Sequence, residues 1–131
     1  MKTRITVPFE ITGWDQVPYA EQDEGPQLAR AAVKKTFAGE LSGTSTAELL
    51  LCSADDAHAG YIAQERVTGR LADREGTFVM QHGGIVDGEE QRPFGRIVPG
   101  SATGALAGLR GNVVFMHDAQ GARLQLDYEF V

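Results

Sequence analysis

Hydrophobic and polar residues alternate along most of the chain, at the period of two that places neighbouring side chains on opposite faces of a β-strand. The pattern is clear near both ends, over residues 5–12 and 122–131. Pro8 lies inside the first of these segments and has no backbone N–H to donate. It therefore predicts an edge, a bulge or a change of strand partner at that point.

Six more segments have the same strand-like pattern, and residues typical of turns, mostly glycine and aspartate, separate most of them. The predicted strands cover residues 5–12, 28–39, 44–53, 61–71, 77–86, 92–98, 112–118 and 122–131. Two segments, 27–35 and 104–110, also have some helical character. The first fits a strand equally well, and the glycines of the second allow at most a short helical turn.

Eight or nine strands at this spacing are typical of an antiparallel barrel or sandwich. The last strand keeps its apolar face up to the final residues, and pairing it with the first strand would cover that face and remove two sheet edges. We therefore predict an all-β fold: one domain over residues 1–131, formed by a closed antiparallel β-barrel of about eight strands with at most one short helical turn. The 16 glycines suit the turns and bends of such a barrel.

The polar segment 15–27 contains Pro18, Gly25 and Pro26 and predicts the longest loop of the chain. Trp14 and Tyr19 lie at its start. Large aromatic side chains serve both in cores and in binding sites, so these residues fit either a lid over the barrel mouth or, for Trp14, a plug at one end of the barrel.

Composition and charge exclude several classes of function. The chain has 12 basic and 18 acidic residues, a formal net charge of −6, so a nucleic-acid partner is not expected. Its apolar runs are far shorter than the roughly 18 residues of a membrane span. Cys52 is the single cysteine, the three histidines lack metal-ligand spacing, and no phosphate-binding glycine motif occurs. We predict no metal, no cofactor and a cytoplasmic location.

Two titratable residues fall on faces that carry apolar side chains. Glu65 shares a face with Tyr61 and Val67, and His82 shares one with Phe78 and Met80. A carboxylate facing an apolar interior is expected to have a raised pKa, as a general base or a ligand partner requires. The alternatives are a structural ion pair of Glu65, for example with Arg96 or Arg110, and a packed structural histidine at position 82.

Short motifs distributed over nearly the whole chain resemble a bacterial family of about this length, DUF3224, a domain of unknown function. The matching segments are Trp14-Asp15, Pro18-Tyr19, Lys35-Thr36-Phe37, Glu65 to Gly69, Gly76-Thr77-Phe78, Gln81-His82, Gly100 to Gly104, Gly108 to Gly111 and Leu126-Asp127-Tyr128. The resemblance implies a barrel like that of allene oxide cyclase and, since small barrels often pair, a homodimer. It implies no activity, because the family has none established and no catalytic set of that enzyme is recognisable here.

Three hypotheses for the function follow. In the first, the barrel binds a small hydrophobic or amphipathic molecule in its interior or mouth. In the second, it is an isomerase, cyclase or lyase that uses Glu65 or His82 as acid or base. In the third, it is a non-catalytic homodimer with a filled barrel, in which Ala105 to Ala107 and Leu109 supply an exposed apolar patch. The ligand-binding residues predicted for the first hypothesis are Trp14, Tyr19, Tyr61, Glu65, His82 and Arg96.

Overall fold

The computed structural model describes residues 2–20 and 24–131 and contains eight strands. They are β1 (Thr3–Ala20), β2 (Gln27–Ala38), β3 (Leu41–Asp55), β4 (His58–Leu71), β5 (Arg74–Asp87), β6 (Glu90–Ile97), β7 (Leu109–Asp118) and β8 (Gly121–Phe130). Every strand is antiparallel to its neighbour in sequence, and β1 also pairs with β8, so the strands are joined in a ring. The predicted all-β class and strand number are confirmed.

Of the two segments with helical character in the sequence, one is a strand and the other contains a short helical turn. Residues 27–38 are strand β2 throughout, with alternate side chains buried, so the alternative of a helix there is wrong. Between β6 and β7, Gly104–Leu106 forms one turn of 3-10 helix, which agrees with the short turn predicted. Among the described residues, no helix is long and apolar enough to cross a membrane.

Tight hairpins connect most of the strands. Two residues lie between β2 and β3, between each of the next three pairs, and between β7 and β8. At the β4–β5 connection, Ala72 and Asp73 both have positive φ values, 52° and 60°. Positive φ at both central residues gives a turn whose twist matches that of the flanking strands. Short connections of this kind make a strand pair with its neighbour in sequence, and the ring order therefore follows the chain order.

Pro8 marks the point where β1 changes partners. Thr3 to Pro8 pair with β8, and from Phe9 onward the strand pairs with β2. Among the described residues, the far edge of β1 has no partner strand beyond Phe9. The interpretation of Pro8 as a site of partner change is confirmed, since the missing N–H lies where the ladder is interrupted.

The predicted loop at 15–27 is largely wrong. β1 continues to Ala20 and pairs with β2 along Trp14 to Pro18, and Glu21 to Asp23 lie outside the described residues. The side chains of residues 14–19 are exposed on both faces of the strand. A strand that buries neither face has no reason to alternate in hydrophobicity, and its polar composition resembles that of a loop.

The interior of the ring has a dense part and a sparse part. The dense cluster includes Phe37, Phe78, Leu124 and Leu126, and the inward alternation predicted for the C-terminal strand is confirmed. Leu106 and Leu109 belong to this cluster and are 0% and 1% exposed, so the predicted apolar patch lacks both leucines and only Ala105 and Ala107 of it are exposed. The sparse cluster consists of small or medium side chains: Ala31, Val33, Ala47, Leu49 and Ala63. Because alanine fills little volume, this end of the ring keeps internal space.

The ring is joined unevenly. The β3–β4 pair has fourteen aligned residue pairs, whereas β6 and β7 align at Arg96 and Asn112 alone among the described residues. This narrow connection, which we call the seam, lies where the long segment between β6 and β7 replaces a tight hairpin. β7 and β8 are also shorter than β3, β4 and β5, so the longer strands extend past them at one end of the ring, which we call the flared end.

Close backbone contact between β3 and β4 predicts a strict requirement for glycine at position 69. Gly69 lies opposite Gly43, and a Cβ at Gly69 would collide with the carbonyl oxygen of Ser42. We expect Gly69→Ala to lower the free energy of unfolding by at least about 2 kcal/mol, because the backbone must shift to accept the methyl group. Urea denaturation measures the change.

Gly13→Ala is the matched control. The nearest atom to a Cβ at Gly13 is a side-chain carbon of Lys34 at 3.5 Å, an ordinary contact. We expect its unfolding free energy to stay within about 1 kcal/mol of wild type. Equal stability of the two variants would contradict the close-approach explanation.

Candidate functional site

A cavity of about 440 Å³ lies in the sparse, flared end of the ring. Its walls are mostly apolar and include Ile11, Trp14, Leu51, Ile85 and Pro93. Polar side chains also reach it: Lys35 from β2, Tyr61 from β4, His82 from β5 and His117 from β7. Because side chains alternate along each strand, these four strands each direct one polar group into the space that the small residues leave.

Glu65 is the centre of a buried hydrogen-bonded cluster and is 0% exposed. Its Oε1 accepts hydrogen bonds from Lys35 Nζ at 3.0 Å and from His82 Nε2 at 2.8 Å. Its Oε2 accepts a hydrogen bond from Ser45 Oγ at 2.6 Å. Lys35, Ser45 and His82 are themselves buried. Glu65 therefore has three donors in place of water, as a carboxylate withdrawn from solvent requires.

A second contact extends this cluster to Tyr61. Since ionised Glu65 only accepts hydrogen bonds, His82 Nε2 carries a proton in that contact. The hydroxyl of Tyr61 lies 3.0 Å from His82 Nδ1, within hydrogen-bond distance. Tyr61, His82 and Glu65 thus form a chain of hydrogen bonds from the cavity into the protein.

The charges of the cluster depart from those expected from the sequence. Burial alone would raise the pKa of Glu65, but the hydrogen bonds from His82 and Ser45 and the charge of Lys35 outweigh it, and the pKa falls to about 2. The prediction of a raised pKa is wrong, because the sequence pattern placed Glu65 in the interior without identifying its donors. The observed ion-pair partner is Lys35, and neither Arg96 nor Arg110 takes that role.

Burial also shifts two neighbouring groups. It lowers the pKa of Lys35, although the charge and hydrogen bond of Glu65 oppose this change. It raises the pKa of Tyr61 to about 12, with a further contribution from the negative charge of Glu65. Tyr61 is therefore a neutral phenol at physiological pH, able to hydrogen-bond but a poor source of phenolate.

Aromatic rings support the lysine from its other side. Lys35 Nζ lies 4.0 Å from the ring centroid of Phe115 and 5.0 Å from that of Phe9. Phe115 also packs against His82, with ring centroids 4.3 Å apart. An ammonium group over aromatic faces gains a favourable cation–π interaction when water is excluded. Carboxylate and rings together favour the charged form of Lys35.

His117 is a polar group of the cavity that the sequence analysis did not select. Its ring packs edge-on against Phe9, at 5.6 Å between centroids. Burial lowers the pKa of His117, and the positive charge of Lys35 lowers it further, which favours the neutral imidazole. The alternation of Val113, Phe115 and His117 was the available signal. Similarly, the alternation along β2 was the signal that Lys35 points inward.

The structure brings together three of the six predicted site residues, Tyr61, Glu65 and His82. Trp14 lines the cavity but is 49% exposed, so it does not plug one end as core. Tyr19 is 49% exposed near the end of β1 and does not reach the cavity. Arg96 lies on the outer face of β6, on the opposite side of the sheet from Glu65. Alternation along one strand separates the residues of its two faces. It does not show which face is the inner one, or where a strand extends beyond the enclosed part of the ring.

The cavity is lined by the neutral phenol of Tyr61 and the neutral imidazole of His117. The ion pair of Lys35 and Glu65, whose charges cancel, lies next to them. Within the described residues, no group of three or more His, Cys, Asp or Glu side chains could hold a metal ion. Proton transfer and hydrogen bonding to an uncharged ligand group are the reactions that these residues supply.

The buried ion pair predicts a large and pH-dependent effect of Glu65→Gln. At pH 7 the variant leaves Lys35 without its counter-charge, and we expect the free energy of unfolding to fall by about 3–5 kcal/mol. Because the pKa of Glu65 is about 2 in the folded protein and about 4.5 unfolded, its stabilisation is complete above pH 5 and is lost as the pH falls toward 2. Urea denaturation of both proteins at several pH values tests this: the difference between them should shrink on acidification.

Two further variants control this experiment. Glu75→Gln removes an exposed carboxylate that lies 3.9 Å from Arg70, and we expect a change within about 0.5 kcal/mol. Lys35→Met combined with Glu65→Gln leaves no buried charge and should recover part of the loss. A double variant no more stable than Glu65→Gln alone would show that the unpaired lysine is not the cause.

Comparisons with known proteins place the chain in a family. A family model described as a protein of unknown function, DUF3224, matches residues 5–130. A solved structure of a DUF3224 protein of unknown function from Shewanella oneidensis shares 34% identity, with a TM-score of 0.88 over 100% of this chain and 98% of that one. No curated protein matches. Together, a family model that spans nearly the whole chain and a similar solved structure show that the chain belongs to the DUF3224 family.

Proposed function

We propose that this protein binds a small amphipathic molecule in the cavity at the flared end of the ring. The observation that supports the proposal is a mostly apolar space of about 440 Å³ with a few polar groups in its lining. Ligand sites in proteins have this character: mostly apolar walls, a few placed polar groups, and volumes of roughly 300–1,000 Å³. The proposal includes closure of the ring as a barrel like that of allene oxide cyclase, which would keep water from the inner end of the site.

The ligand has an apolar body and one uncharged polar end. Ile11, Trp14, Leu51 and Ile85 offer aliphatic and aromatic contact to the body. Lys35 and Glu65 already neutralise each other, and both carboxylate oxygens of Glu65 accept hydrogen bonds within the cluster. Arg92, the other cation of the described cavity lining, is exposed and paired with Glu90, so a ligand charge at the inner end would lack a counter-charge, at high desolvation cost. A carbonyl or hydroxyl group fits better, hydrogen-bonded to Tyr61 or to His117.

Trp14 provides the assay, because it is the only tryptophan and it lines the cavity. 8-Anilinonaphthalene-1-sulfonate is a suitable probe: an apolar aromatic body whose sulfonate can remain in solvent at the mouth. We expect saturable enhancement of its fluorescence with energy transfer from Trp14. Ala59→Phe, which fills the cavity from β4, should weaken binding at least about tenfold by occupying the same space.

Ala38→Phe is the matched control, since it adds the same side chain at an exposed position of β2 away from the cavity. It should bind the probe as wild type does. Equal binding by Ala59→Phe and wild type would place the probe elsewhere and contradict the proposal. Native mass spectrometry of freshly purified protein then seeks the natural ligand as a co-purifying mass.

A second candidate function, proton transfer on a bound carbonyl compound, rests on the pairing of Tyr61 with His117 in one cavity. Neutral His117 would take a proton from the carbon next to the carbonyl, while the hydroxyl of Tyr61, which lies beside His82, directs its single proton to the developing enolate oxygen rather than to His82 Nδ1. Return of the proton to carbon completes an exchange or an isomerisation with no other reactant.

Hydrogen–deuterium exchange of 2-indanone in D₂O, followed by proton NMR, tests this candidate. We expect wild type to accelerate exchange over buffer, and Tyr61→Phe and His117→Gln each to lower the protein-dependent rate at least about tenfold. Tyr19→Phe and His58→Gln make the same substitutions at exposed residues outside the cavity lining and should retain the rate. Exchange at the buffer rate with wild type, under conditions where the probe is bound, would leave binding as the function.

A further inference from the structure

Three apolar side chains, from β3, β4 and β6, are exposed together on the outer face of the segment β3 to β6, which we call the β3–β6 face. Leu50, Ile62 and Phe94 are 41%, 55% and 54% exposed, respectively. An open groove of about 1070 Å³ runs along this face and is separate from the interior cavity in most of its lining. Exposed large apolar residues on neighbouring strands form the kind of patch that protein interfaces use.

The ladder register aligns these three side chains in one row across the sheet. Leu50 is opposite Ile62, Ile62 is opposite Gly83, and Gly83 is opposite Phe94. A Cβ at Gly83 would lie 2.6 Å from the Phe94 ring, so the ring extends over the backbone of the glycine. The missing side chain of β5 is thereby replaced by the aromatic ring of β6, and the row forms a continuous apolar ridge.

The next outward row is polar and carries opposite charges at its two ends. Glu48 on β3 is opposite Gln64, Gln64 is opposite Gln81, and Gln81 is opposite Arg96 on β6. Gln81 Nε2 donates to Gln64 Oε1 at 2.8 Å. Within the part of the chain that the structure describes, neither Glu48 nor Arg96 forms an ion pair with another residue. The two central glutamines of the row are thus hydrogen-bonded to each other, and the two end residues carry opposite charges that are not paired within the described part of this chain.

We propose that the β3–β6 face binds a second copy of this chain through a two-fold axis parallel to the strands, between β4 and β5. Such an axis places β3 of each copy over β6 of the other and keeps each row facing the same row. Glu48 then meets Arg96 of the second copy, and the reciprocal pair forms at the other end. Ile62 meets the ring of the second copy's Phe94.

This arrangement accounts for features that a chance patch would not combine. Along the polar row the order is acid, amide, amide, base. The two-fold axis reverses this order in the second copy, so each acid faces a base and each amide faces an amide. The apolar ridge lies beside the charged row, so the pairs form at the border of an apolar contact, where water is partly excluded and charge complementarity sets the register. The exposed side chains of β1, including Trp14 and Val17, lie outside this face.

Charge exchange gives the sharpest test. In the proposed dimer, Glu48→Arg brings two arginines together at each end, and Arg96→Glu brings two glutamates together. We expect each variant alone to have a dimer dissociation constant at least about tenfold higher than that of wild type. An equimolar mixture of the two variants restores both oppositely charged pairs, and we expect it to form a heterodimer with about wild-type affinity.

Sedimentation velocity over a concentration series measures the association, against the 14.1 kDa mass of one chain. Glu10→Arg and Arg110→Glu make the same charge changes at exposed positions outside the face and should associate as wild type does. Far-ultraviolet circular dichroism confirms that every variant is folded. Ile62→Glu provides a second, independent disruption of the ridge.

Three results would overturn the proposal. The first is wild type that remains a single chain at all concentrations. The second is a dimer that neither charge variant nor Ile62→Glu weakens, which would place the interface elsewhere. The third is loss of dimer in both charge variants without recovery in their mixture, because the predicted register would then be wrong.

Discussion

Glu65 is ionised and fully withdrawn from water, and the surrounding strands are arranged to keep it so. Its hydrogen-bond donors come from β2, β3 and β5, the strands beside and beyond its own strand β4. A change in the register of any of them by one residue would turn a donor outward and leave a buried charge unpaired. The penalty for that state is several kcal/mol, which is comparable with the whole stability of a small domain. The cluster therefore specifies strand register as well as local chemistry.

The same cluster determines what the cavity can hold. The dense core at the other end of the ring is apolar throughout, whereas the sparse end combines small side chains with groups that are already hydrogen-bonded. The space is apolar in character even though Lys35, Glu65 and His82 lie beside it, because their charges and protons are used among themselves. Tyr61 and His117 are the inner polar groups left to face a guest, and the remaining polar side chains of the lining are exposed at its mouth. Such a cavity would select a guest molecule by its shape and by one or two hydrogen bonds to it.

Much of the architecture follows from local patterns in the sequence. Alternation identified the inward positions of Glu65 and His82, and glycine-rich turns identified the hairpins that make the strand order sequential. The second half of β1 was missed because a strand exposed on both faces has no alternation to detect. The partner of Glu65 was missed for another reason: lysine usually extends to solvent, and the inward position of Lys35 becomes informative only when β2, β3 and β4 are aligned across the sheet. Long-range register is a property of the whole set of paired strands, and no single strand encodes it.

The seam between β6 and β7 has a mechanical consequence. A ring with equally strong ladders on all sides must break many hydrogen bonds to open, whereas this ring is joined at one place through Arg96 and Asn112 alone among the described residues. Local opening follows the path of lowest free energy, so fluctuations that widen the ring will concentrate there while the other ladders stay intact. On one side of the seam lie the long hairpins of β2 to β5, and on the other lies the short β7–β8 hairpin, which carries His117 and is held to β1 by six aligned pairs. Widening the ring at the seam for a large guest would therefore break fewer ladder pairs than widening it at any other junction of the described strands.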